Sequence, residues 1–290
     1  MQHPSDSSGE EHMKQTSKTW LRPLLPVALA LGAVSAAAHA APAVQADDSA
    51  EAVLECMRAN VPTSVRVQQI ELEATDRAGA ARIVGGRLYA RLEPQEDGGR
   101  RVRATLRVDS PDYLAGAAYL VREFDAERAD GMYVFLPSVK RVRRVSAEFA
   151  DGALLGTNFS YYDFKQIQNA FGDSSAKLLA PSELQGRAVN VVDFTPSSES
   201  ASTYTRVHAL VDQKTCVPLQ IDFIEGDKVH KRWSVEPSAL HQSGTHWYAA
   251  VSVMRDLQDN TQTLLRVLEV KSDTQVPSRY FEPATFYLGN

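Results

Sequence analysis

The sequence predicts an α+β chain dominated by antiparallel strands. Three observations carry that expectation: apolar residues alternate with polar ones over much of the length, turn signals separate the alternating runs, and only two segments show helical spacing. Leu88, Ala90 and Leu92 alternate with Arg87, Tyr89 and Arg91, and Val102, Ala104, Leu106 and Val108 with Arg101, Arg103, Thr105 and Arg107. Val207, Ala209 and Val211, then Val217, Leu219, Ile221 and Phe223, repeat the rule. Period two puts one apolar face on a core and leaves the other wet.

The chain opens on an export signal. Lys14, Lys18 and Arg22 give a basic start, residues 24–34 an apolar core, and Ala38, His39 and Ala40 an A-x-A cleavage site. A membrane span is the competing reading, but spanning takes about 20 apolar residues and Pro26 interrupts this shorter run. Residues 1–40 are therefore expected to be a cleaved signal peptide, with residues 41–290 a single mature domain. Residues 1–12 are acidic, and Met13 would make a more conventional start. No Cys follows the apolar core, so a protein free in the periplasm is expected, with only peripheral membrane encounters.

A helix is expected over 48–59: Asp48 or Ser49 can cap it, and Ala50, Val53, Leu54 and Met57 fall on one face. Asn60 and Pro62 end it. A second, shorter helix is expected over 161–171. Hairpin turns are marked by Asp97, Gly98 and Gly99, by Asp130 and Gly131, Asp151 and Gly152, Glu225, Gly226 and Asp227, and Ser243 and Gly244. About ten strands follow from this spacing. So wide a sheet must curl, split or be capped; a curled sheet with an apolar cavity and a filled sandwich stay equally open on pattern alone.

Composition excludes some functions. A net charge of −5 argues against nucleic acid as a partner. There is no G-x-S-x-G, H-E-x-x-H, Walker or Rossmann motif. His208, His230, His241 and His246 stand at no metal-ligand spacing, so neither a catalytic residue, a metal nor a cofactor is expected. Cys56 and Cys216 read either as a disulfide, as in exported chains, or as two buried thiols.

The densest segment is 132–171. An apolar strand, 132–136, turns at Pro137 and Ser138 into a basic strand, 140–146, with Lys140, Arg141, Arg143 and Arg144. Phe159, Ser160, Tyr161, Tyr162, Asp163 and Phe164 then lead into the second helix. Taken singly, the basic run reads as a solvated edge strand and the aromatic run as core.

Together these pieces resemble a family signature. Tyr133-Val134-Phe135-Leu136-Pro137, Arg141-Val142-Arg143-Arg144-Val145 and Gly156-Thr157-Asn158-Phe159-Ser160-Tyr161-Tyr162-Asp163 are similar to the string of the LolA-like outer-membrane lipoprotein-sorting proteins, with Asn158 where Asp is common. The resemblance implies a single curled antiparallel sheet, a half-open β-barrel with helices plugging its concave face. It also implies a hydrophobic cavity that carries lipoprotein acyl chains or another envelope lipid. Partners would be that cargo, an inner-membrane exporter and an outer-membrane acceptor. Tyr133, Phe135, Val142, Phe159, Tyr161 and Phe164 would line the cavity or its lid, the 48–59 helix or the 152–171 segment. Arg143 or Arg144 would pair with Asp163 to pin the lid, or meet a headgroup or partner. Other readings are an envelope-stress sensor, an accessory subunit of a resistance-nodulation-division exporter, and an envelope lipid hydrolase.

Overall fold

Alternating runs become strands that are more numerous than their spacing suggests. The computed structural model describes residues 49–288 apart from 97, 125–129, 173, 199–201 and 274, so the predicted signal peptide lies outside the described residues. The first half is a meander of β1 (Val65–Thr75), β2 (Ala81–Pro94), β3 (Arg100–Ser110), β4 (Ala118–Arg122), β5 (Gly131–Leu136) and β6 (Arg141–Arg144). The second half holds β7 (Ser174–Leu178), β8 (Ser182–Leu184), β9 (Arg187–Pro196), β10 (Arg206–Asp212), β11 (Pro218–Glu225), β12 (Lys228–Ser234), β15 (Val251–Asp256) and β16 (Thr261–Asp273). Between them, β13 (Leu240–Ser243) and β14 (His246–Ala249) form a separate hairpin. The surplus over ten consists mostly of strands of three to five residues, too short to display alternation.

The two halves join where β1 pairs with β16, giving one antiparallel sheet in the order β6-β5-β4-β3-β2-β1-β16-β15-β12-β11-β10-β9-β7. Its edge strands, β6 and β7, do not pair with each other, so the sheet curls without closing. This is the half-open form of the two packings that alternation left open.

The concave face is filled by one continuous apolar cluster. Inward residues such as Ile70, Leu88, Leu106, Tyr119, Phe194 and Phe223 meet two helices there. Helix α1 (Ala50–Arg58) starts at Ser49, whose Oγ accepts the Ala52 N–H at 3.1 Å, and buries Val53, Leu54 and Met57. Helix α2 (Tyr161–Ile167) starts on a reciprocal capping box: Ser160 Oγ accepts the Asp163 N–H at 3.0 Å, and Asp163 accepts the Ser160 N–H at 2.8 Å. It stops short of residue 171 because Asn169 takes a left-handed φ of 63°.

Contrary to the one-wet-face expectation, the convex face of β1–β5 is also covered. Residues 276–288 run across it as a strap. Tyr280 and Phe281 pack on Val65 and Tyr89, and Phe286 on Ala118 and Leu120. Arginines that looked like a solvent face stack on the strap instead, Arg91 over Phe281 at 4.5 Å and Arg107 over Tyr280 at 4.7 Å. Asp130 also departs from a surface turn: its buried carboxylate accepts the Phe124 N–H and the Lys165 ammonium.

Candidate functional site

The strap divides the predicted cavity residues. Directly opposed residues of an antiparallel pair share a face, and Phe135 opposes Val142 while Tyr133 opposes Arg144. Tyr133, Phe135 and Val142 pack on the convex side with Phe286 and Tyr287, Phe135 stacking on Tyr287 at 4.0 Å. The inward residues of β5 are Met132, Val134 and Leu136. A strand apolar on both faces gives no parity signal, so the sequence could not choose between these two sets.

Phe159, Tyr161 and Phe164, by contrast, come together on the inner side of the 152–171 segment. Phe159 and Phe164 are fully buried and meet edge to face at 6.2 Å, and Tyr119 touches both Tyr161 and Phe164. The preceding loop is pinned to the sheet through Asn158, whose N–H donates to Thr263 Oγ1 at 2.9 Å and whose Oδ1 accepts the Thr263 hydroxyl at 2.8 Å.

The expected pairing of Asp163 with Arg143 or Arg144 does not form. Asp163 is buried, and its cationic partner is Lys231 of β12 at 3.0 Å, while both arginines stay exposed on the edge strand β6. Lys231 stands 68 residues away in sequence, beyond anything local spacing reveals. Helix α2 therefore presents polar groups to the interior. Asp163 pairs with Lys231 and Lys165 with Asp130 at 3.0 Å, while the buried Gln166 amide has no partner on either side-chain atom.

Helix α1 is anchored differently. A disulfide joins Cys56 to Cys216 in the β10–β11 turn, with 5.7 Å between Cα atoms. Arg58 adds an ion pair to the buried Glu123 at 2.9 Å.

An open cavity of about 80 Å³ lies where the α1 exit, the end of α2, β12 and the β13–β14 hairpin converge on the sheet. Apolar walls come from Ile70, Leu88, Leu265, Val267 and the rings of Trp233 and Trp247. Asn60 organises one side: its Nδ2 donates to Thr215 O at 2.8 Å, its Oδ1 accepts the Trp247 N–H at 2.8 Å, and its carbonyl accepts Arg66 Nη1 at 2.9 Å. Arg66 projects into this cavity from β1 and is 9 % exposed. Burial lowers its pKa from the ordinary guanidinium value to about 10, with Tyr248 opposing the shift.

Arg66, Trp233 and Asn60 were missed from sequence. The signal was present in β1, where Leu72, Ile70, Gln68 and Arg66 share one parity and so continue an apolar stripe into a cation.

A second pocket, about 310 Å³, lies between the β1–β2 turn and the 156–158 loop. Its polar groups satisfy one another: Asp76 accepts the Ala78 and Ala80 N–H groups and Arg82 donates to the Gly156 carbonyl. It reads as a turn packed on a loop. No helix among the described residues is long and apolar enough to cross a membrane.

Residues 100–287 match the model of a family described as "Uncharacterized protein". No curated protein matches the chain. Among solved structures, a DUF1329 family protein from Desulfovibrio piger superposes with a TM-score of 0.70 at 18% identity, covering 81% of this chain and 98% of that one. A putative outer membrane lipoprotein-sorting protein domain from Vibrio parahaemolyticus gives 0.69 at 20% identity over 82% and 97%. A LolA superfamily protein from Nitrosomonas europaea gives 0.62 at 17% identity over 81% and 97%. At these identities the likeness is one of fold.

Proposed function

We propose, starting from a chain that belongs to the family described as "Uncharacterized protein" and has the fold of LolA-superfamily proteins, that it is a periplasmic carrier of an acyl-chain amphiphile. The cargo is a lipoprotein's acyl chains or another envelope lipid, kept covered on its way towards the outer membrane. Each CH₂ pulled into water costs about 0.8 kcal/mol, so a chain crosses an aqueous compartment only inside an apolar cover.

One observation carries this reading: the apolar concave face of an unclosed sheet is covered at α2 by a helix that buries Asp163, Lys165 and Gln166 beside the rings of Tyr162 and Phe164. Lifting an apolar plug exposes only grease, whereas lifting α2 rehydrates Asp163, Lys231, Lys165 and Asp130 and gives the unpaired Gln166 amide water. Hydration of buried charges offsets much of the lost pairing, so this cover opens at lower cost than a wholly apolar plug of the same size. Helix α1 is held by the disulfide and stays. Of the two lid candidates, the 152–171 segment is the moving one. The cavity of about 80 Å³ is several-fold below the roughly 300–1,000 Å³ of ligand sites, so loading requires that movement.

Export fits the disulfide, which persists in oxidising compartments, and the predicted signal peptide over 1–40. The exposed Arg143 and Arg144 are then available to a headgroup, exporter or acceptor. The test is hydrogen exchange with and without uncharged monopalmitoyl glycerol. Stoichiometric binding with faster exchange in 152–171 and unchanged exchange in α1 supports the reading. No binding of this or any other long-chain amphiphile, or binding with no change in 152–171, removes it.

A further inference from the structure

Five basic residues are buried among the described residues, Arg58, Arg66, Arg103, Lys165 and Lys231. Four of them hold a carboxylate within 3.0 Å: Arg58 has Glu123, Arg103 has Glu93, Lys165 has Asp130 and Lys231 has Asp163. Arg66 has none. Among the described residues its Nη1 donates to the neutral carbonyl of Asn60 at 2.9 Å, and its Nε–H has no acceptor. A buried, unpaired guanidinium is costly. The fold has solved that problem four times and left it open where the cavity is.

A second donor on the same cavity is in the same condition. Trp233 is 5 % exposed and its indole N–H has no acceptor. Gln68 and Ser252, also buried, line the same space. Two orphaned N–H donors, one cationic, belong to residues lining a cavity whose other walls combine apolar side chains with neutral polar ones and carry no carboxylate. Such a site lacks an anionic acceptor, and an Arg fork matches the two oxygens of a carboxylate or phosphate. Roughly 80 Å³ suits a group of that size and excludes a whole chain. The apolar walls at Ile70, Leu88 and Leu265 run into the main core, which gives a chain attached to the head somewhere to go.

We propose that the Arg66 cavity binds the oxyanion head, carboxylate or phosphate, of the amphiphile whose chain the concave face covers. The inference rests on the carrier reading and names its cargo class: an acidic lipid. Arg66 supplies charge and fork, Trp233 the second donor, and Asn60 holds the guanidinium in place.

The test uses fluorescence of the full-length exported protein, because Trp233 and Trp247 both line the cavity. Palmitate and palmitoyl lysophosphatidic acid are titrated against uncharged hexadecanol and monopalmitoyl glycerol. Wild type is expected to bind the anionic members about 10- to 100-fold more tightly, the range for hydrogen bonds to a charged group. Arg66→Met should erase that preference, bringing the affinity for the anionic members down to that for hexadecanol. Trp233→Phe, with Trp247 as reporter, should reduce the preference several-fold, and it serves if Arg66→Met does not fold. Preference for palmitate over lysophosphatidic acid, or the reverse, identifies the head. Equal binding of charged and uncharged amphiphiles, or a preference that survives Arg66→Met, overturns the inference and leaves the carrier reading standing. If no amphiphile binds, the carrier reading fails and this one with it. Inorganic phosphate binding without any chained ligand likewise overturns the proposal.

Discussion

Removing the disulfide tests how the cover of the concave face is held. Cys56 lies on α1 and Cys216 in the β10–β11 turn, 160 residues apart. Cross-linking across a loop of that length removes denatured-state entropy worth about 5 kcal/mol in the chain-entropy model, and measured bridges more often contribute about 2–4 kcal/mol. For a domain of this size each kcal/mol moves the melting temperature by about 2–4 °C, so Cys56→Ser with Cys216→Ser should lower it by about 5–15 °C. The assay is calorimetric melting of the oxidised protein and the double variant in one buffer, paired with amide exchange. Exchange in α1 should rise more than in the central strands, since Arg58–Glu123, the Asn60 contacts and the packing of Val53, Leu54 and Met57 then hold the helix without a covalent tie. A melting temperature changed by less than about 2 °C, or α1 exchange unmoved, would refute the claim that the bridge is what fixes α1.

Three further predictions follow from named contacts. Asp163→Asn leaves Lys231 without its carboxylate and should cost about 3 kcal/mol, the low end for breaking one member of a buried pair; denaturant titration reads the loss, and limited proteolysis should shift to the 152–171 segment. Phe286→Ala uncovers Ala118 and Leu120 on the convex face and should cost about 3–5 kcal/mol without altering hexadecanol affinity; altered affinity would place the strap in the binding machinery. Asp212 concerns acid stability. Burial alone would raise its pKa, but the Arg187 fork at 2.8 and 2.6 Å and the Thr215 N–H and hydroxyl hold it below 3.8. A carboxyl lowered on folding stabilises above its unfolded pKa and loses that contribution as the pH falls through the folded one. The melting temperature of wild type should therefore drop below about pH 4, and Asp212→Asn should flatten that limb; parallel pH profiles would contradict it.

Much of the scaffold was legible because it is local. Ser49 and the Val53, Leu54 and Met57 stripe mark α1 by cap and spacing, and the Gly226 and Gly244 turns fall between the strands they were expected to join. The motif around Phe159 and Phe164 led to the capped helix α2 and its buried aromatic cluster. What escaped was long-range. Nothing near Asp163 announces Lys231, and nothing in β5 says that Phe135 meets Tyr287. Parity could have flagged Arg66, but only the folded chain shows that no carboxylate among the described residues pairs with it.

The central claim is that the concave face covers an acyl chain. Native mass spectrometry of the protein purified without detergent from its own envelope tests this most directly, followed by identification of the released lipid. The account predicts an acyl-chain amphiphile with an acidic head, bound near one to one and displaced when the 152–171 segment opens. Folded, disulfide-intact protein that carries no lipid and accepts none on incubation with envelope lipid vesicles would contradict it.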